Sequence, residues 1–89
     1  MARKRVLFKS CETVDDLACT FYTDGTARIH FKDSLPKERH YMSWKDIDGV
    51  FYWKDTYGDW RIEEERYQRL YKRALKRQLD RVFEKVVLT

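Results

Sequence analysis

The chain has 89 residues, a formal charge of +4, 43% hydrophobic residues and 16% aromatic residues. That length sets one small domain, and the ring content excludes a disordered chain, which lacks the apolar surface to offset the entropy of ordering. The apolar runs fall far short of the roughly 20 residues that a bilayer-crossing helix needs, and no signal-like apolar segment follows Arg3-Lys4-Arg5, so a soluble cytoplasmic protein with no membrane partner is expected.

In chain order, "KRVLFK" (4–9) is a short apolar run between bases and predicts a first strand with Val6 and Phe8 on one face and Leu7 on the other. "SCETVDDL" (10–17) then predicts a loop or a single helical turn capped by Ser10 or Thr13. The run "ACTFYTDGTARIHF" (18–31) joins two β-rich stretches through Asp24-Gly25, the signature of a two-residue hairpin turn. That turn opposes Tyr22 to Ala27 and Thr20 to Ile29, which puts Tyr22, Ala27, Ile29 and Phe31 on the core face and Cys19, Phe21, Arg28 and His30 on the other. "KDSLPKER" (32–39) is a polar loop broken by Pro36.

All three tryptophans fall within "SWKDIDGVFYWKDTYGDW" (43–60), which admits two structures. A helix capped by Ser43 aligns Trp44, Ile47, Val50 and Phe51 but leaves Tyr52 and Trp53 off the stripe, giving three strands and two helices overall. A hairpin about Asp48-Gly49 opposes Trp44 to Trp53 and Asp46 to Phe51, and gathers Met42, Trp44, Phe51 and Trp53 on one face. The hairpin is preferred, because an interior glycine costs a helix about 1 kcal/mol and "VFYW" suits a strand. Trp44, Phe51 and Trp53 then read as core, while Tyr52, Tyr57 and Trp60 are left for a contact surface.

Asp59 is a candidate N-cap for one long helix over 59–88, with Glu63, Glu64 and Glu65 in its first turns, where the dipole favours acids. Leu70, Ala74, Leu75, Leu79, Val82 and Phe83 form its packing stripe. The expected fold is therefore α+β: a single domain over 1–89, with an antiparallel sheet of about five short strands in 1–58, two hairpins among them, packed by a long amphipathic C-terminal helix.

Candidate function rests on surface charge. Between Arg66 and Lys85 the helix carries eight bases against two acids, and Arg66, Arg69, Lys72, Arg73, Lys76 and Arg77 gather on its polar side, as phosphate contacts require. Lys and Arg on a solvated helix face explain the same pattern without a partner. Arg28 and His30, with Tyr52, Tyr57 and Trp60, supply the rings and bases that single-stranded nucleic acids use for stacking and charge contact. Rings combined with arginine also mark protein interfaces. Cys11 and Cys19 are too few for a disulfide framework, and with His30 and His40 they lack the close ligand pairs of a zinc site, so no metal and no cofactor is expected. Glycine-rich phosphate loops, nucleophile elbows and metal-spaced histidines are missing from the sequence. Cys19 opposite His30 is the one pair with catalytic chemistry, and simple packing accounts for it equally well.

The chain is expected to be a small non-catalytic binding protein that contacts nucleic acid or a nucleoprotein complex through the basic helix face. The alternative is a phage-type inhibitor or adaptor that blocks a larger host protein by direct contact, as anti-defence and anti-CRISPR proteins do. Homodimerisation through the long helix is compatible with either.

Overall fold

A computed structural model describes residues 5–33 and 35–87, with side chains up to residue 82. Five strands, β1 (Ser10–Val14), β2 (Leu17–Phe21), β3 (Thr26–Phe31), β4 (His40–Ile47) and β5 (Val50–Lys54), form an antiparallel sheet in the order β1-β2-β3-β4-β5, and one helix, α1 (Glu65–Val87), follows. A short 3-10 turn over Pro36–Glu38 interrupts the loop between β3 and β4. The helix lies on one face of the sheet, chiefly against β1 and also against β2 and β5. The expected α+β architecture is the one observed. Its details differ at both ends of the chain and in the first hairpin.

The first strand is "SCETV", not "KRVLFK". Ser10, Glu12 and Val14 alternate inward while Cys11 and Thr13 face out, so the periodicity is that of a strand although two of the inward residues are polar. Their burial is possible because Ser10 Oγ donates to Glu12 Oε1 at 3.0 Å and Arg77 Nε donates to the same oxygen at 2.6 Å. Residues 5–9 are irregular, yet Val6 is buried and Gln78 on the helix accepts from the Leu7 and Phe8 amides at 3.1 Å each.

In the first hairpin the turn takes three residues rather than two. Tyr22 N donates to Thr26 O at 2.9 Å and Gly25 N to Tyr22 O at 3.3 Å, with Gly25 at φ +92°, a type I turn closed by a left-handed glycine. One extra loop residue shifts the register by one. Phe21 now pairs with Ala27 and Cys19 with Ile29, which brings Phe21 and Cys19 into the core; Tyr22 drops to a half-buried edge and Phe31 is exposed.

The second hairpin follows the predicted register throughout: Trp44 with Trp53, Lys45 with Tyr52, Asp46 with Phe51 and Ile47 with Val50. Asp48 at φ +54° and Gly49 at φ +86° give both positive angles of the I′ turn. Its inward rings meet Phe21 and Tyr71. Phe21, Trp44, Phe51 and Tyr71 are all in mutual contact, with centroid separations from 5.2 Å (Phe51 with Tyr71) to 6.3 Å (Trp44 with Phe51). The buried Trp44 indole donates to Thr26 O at 2.8 Å and Tyr22 O at 3.1 Å, so its polar atom is satisfied by the first hairpin's turn.

The helix starts at Glu65, six positions later than the earliest predicted residue, Asp59, because "RIEE" (61–64) has other work. Arg61 exchanges both backbone hydrogen bonds with Trp53 (2.8 and 3.0 Å), extending the sheet edge by one bridge. Glu64, at φ +76°, then caps the helix through its carbonyl, which accepts from Gln68 N at 3.3 Å; Asp59 is not the cap. Gln68 lies against the outer edge of β5, accepting from Phe51 N at 3.1 Å and donating to Phe51 O at 2.6 Å, and so occupies backbone groups that an edge strand leaves open. Leu70, Tyr71 and Ala74 are buried and Leu75 half-buried beneath the helix, with Gln78 in place of the expected Leu79. Leu79 is 69% exposed and Val82 42%. Phe83 lies outside the described side chains.

Candidate nucleic-acid interface

The helix covers one face of the sheet, and strand alternation sends the remaining side chains to the opposite face. From β3 these are Thr26, Arg28 and His30, from β4 Tyr41, Ser43, Lys45 and Ile47, and from β5 Val50, Tyr52 and Lys54. Cross-strand pairing sets bases beside rings, Arg28 opposite Tyr41 and Lys45 opposite Tyr52. Both acids in the strands, Glu12 and Asp46, are buried on the helix side, so no strand carboxylate faces outward.

Trp60 joins this open face from the loop after β5. Lys45 Nζ stands 4.1 Å and Lys54 Nζ 4.8 Å from its ring centroid, which fixes the indole over the outer ends of β4 and β5 by cation–π attraction. Tyr57 is fully exposed in the turn between Asp55 and Gly58 and makes no ring contact with this group. Tyr52 and Trp60 therefore lie on the side of the sheet away from the basic helix.

The helix bases form a second surface. Arg77 is held by Glu12, Nε to Oε1 at 2.6 Å and Nη2 to Oε2 at 3.4 Å, as part of the fold. Arg66 pairs with Glu64 at 3.2 Å and Arg69 with Asp15 at 3.7 Å. Lys72, Arg73 and Lys76 have no ion-pair partner among the described residues. The predicted site residues thus divide into Arg28, His30, Tyr52 and Trp60 on the open sheet face, Arg66, Arg69, Lys72, Arg73, Lys76 and Arg77 on the helix, and Tyr57 apart from both. Arg3, Lys4 and Lys85 lie outside the described residues or side chains, whereas Arg5 binds Asp46 at 3.2 Å.

Sequence reasoning passed over Tyr41, Lys45 and Lys54. The Asp48-Gly49 register held the signal for two of them, since it sets Lys45 opposite Tyr52 and Lys54 opposite Ser43, on the face away from Trp44 and Phe51.

Catalytic pairing of Cys19 with His30 is corrected by the shifted register: Cys19 faces Ile29 in the core, while His30 is opposite Ala18 on the open face. Burial pushes the Cys19 thiol well above its ordinary value, the reverse of what a nucleophile needs. Among the described residues no group of His, Cys, Asp and Glu is arranged to hold a metal ion, and no helix is long and apolar enough to cross a membrane.

Comparison of the chain with protein-family models, with curated proteins and with solved structures returned no match.

Proposed function

We propose that the protein is a non-catalytic binder of single-stranded nucleic acid and that the strand lies across the open sheet face. One observation carries this reading: the face sets Arg28, Lys45 and Lys54 among Tyr41, Tyr52 and Trp60, with no outward strand carboxylate to repel phosphate. Flat rings on a sheet offer bases a stacking surface, worth about 1–3 kcal/mol per stacked base, and the interleaved cations follow the backbone. Lys72, Arg73 and Lys76 lie on the helix, across the sheet from this platform, and add a general positive field that speeds encounter.

The test is oligonucleotide affinity as a function of salt. A strand held this way loses affinity with a log–log slope of about −0.7 per phosphate neutralised, and Tyr52→Ala weakens it at every salt concentration without changing that slope. Affinity independent of salt would remove this reading.

A second reading, contact with a protein partner, is favoured by the apolar end of the molecule. Leu7, Phe8, Leu79 and Val82 are all exposed there, and Arg81 lies 5.3 Å from the Phe8 ring. A complex formed through this end survives nuclease, whereas one formed through the sheet face does not.

A further inference from the structure

The open sheet face is not uniform, and one part of it has polar atoms with nothing to bind. Thr20, on β2, is 1% exposed, and its hydroxyl has no hydrogen-bond partner. It stands directly opposite Arg28, whose Nε is shielded from solvent and also unpartnered. His30, two residues along β3, has an unpartnered Nδ1, and Arg39 occupies the register position opposite His30, one step beyond the last paired residues of β4. Arg39 Nε is likewise shielded and unpartnered. Buried polar atoms left without partners cost free energy, so a cluster of them in one place requires a reason.

Electrostatics agree with the geometry. Burial lowers the His30 pKa, and the nearby charges of Arg39 and Arg28 lower it further, as expected where bases are gathered. Glu38 shares a groove with His30, but the rest of that groove, with Leu17, Ile29, His40 and Tyr67, belongs to the helix side of the sheet. The side chains of Arg28, His30 and Arg39 have no ion-pair or hydrogen-bond partner among the described residues.

We infer that Thr20, Arg28, His30 and Arg39 form a phosphate-binding subsite, and that it takes one phosphodiester of the strand carried by the sheet face. A phosphate oxygen accepts from the Thr20 hydroxyl and from the arginine Nε–H groups, and its charge is balanced by the two guanidinium groups. This assignment rests on the nucleic-acid reading and specifies where along β2 and β3 the backbone is pinned.

Inorganic phosphate, titrated into the full chain while the His30 ring and the arginine Nε–H resonances are followed by NMR, tests the subsite without any nucleic acid. Saturable shifts confined to Arg28, His30 and Arg39 are expected, with chloride at equal ionic strength producing none. Thr20→Val keeps the side-chain shape and removes the hydroxyl, so it should raise thermal stability while weakening phosphate binding about tenfold or more. Arg39→Ala, at a loop position, should lower the salt slope of oligonucleotide binding by about 0.7. Absent phosphate shifts, or shifts unchanged by Thr20→Val, overturn the subsite. Oligonucleotide binding that persists in that case leaves the broader reading standing, whereas phosphate shifts without oligonucleotide binding keep the subsite and remove the strand.

Discussion

Asp46 shows how much a single residue organises. It is buried, and its carboxylate accepts from Tyr71 Oη at 2.6 Å and Gly49 N at 2.9 Å and pairs with Arg5 Nε at 3.2 Å, so one side chain joins helix, second hairpin and N-terminal segment. Burial, together with the hydrogen bond to Asp46, pushes the Tyr71 phenol well above its usual range, and it stays a donor at all physiological pH values. Tyr71→Phe removes one bond to a charged group and is expected to cost about 1.5–3 kcal/mol in urea unfolding. Arg5→Ala should cost less, about 1 kcal/mol or below, because the guanidinium side is half exposed and screened. His30 supplies a pH prediction. Its folded pKa is depressed below 6.5, so the unfolded chain takes up the proton first, and the His30 contribution to stability is present above pH 6.5 and is lost as pH falls through the folded value. His30→Gln should flatten the stability profile below that pH, and the wild-type histidine, titrated by NMR, should ionise below 6.5.

The two hairpins separate what local sequence determines from what it does not. Asp48-Gly49 is flanked closely by "KDI" and "VFYW", takes the I′ turn, and delivers the whole register that the dipeptide implies. Asp24-Gly25 is the same dipeptide, but there Thr23 joins the turn, and one residue of difference exchanges the two faces of β2. Loop length is decided by which ring fits the core, Phe21 or Tyr22, and that depends on Trp44, Phe51 and Tyr71, which are remote in sequence. The first strand was hidden for a related reason: Glu12 is buried only because Arg77 on the helix meets it, so no pattern within "SCETV" marks it as inward. For the second hairpin, Gly49→Ala tests the turn directly. The new methyl would sit 3.5 Å from Arg5 Nη1, an ordinary contact, so the cost comes from the left-handed backbone alone and is expected to be about 1–2 kcal/mol by urea unfolding.

At the scale of the molecule, the sheet has a covered face and an open face, and the distribution of charge follows that division. The basic helix was conspicuous in the sequence because its bases are contiguous in one element. The open face was only half legible, since Arg28, Tyr41, Lys45, Tyr52 and Lys54 come from three strands and become neighbours only once the register is known. Arg39 and Thr20 were invisible for the same reason, lying in a loop and in a strand whose faces were exchanged. The helix surface and the sheet surface lie on opposite sides, and they can be tested against each other. The decisive measurement is single-stranded oligonucleotide affinity at two salt concentrations for the wild type, for Lys45→Glu with Lys54→Glu, and for Arg73→Glu with Lys76→Glu. Reversal on the sheet face is predicted to abolish measurable binding, while reversal on the helix slows association and weakens affinity only modestly. Binding that survives reversal of Lys45 and Lys54 but is lost on reversal of Arg73 and Lys76 would contradict the account.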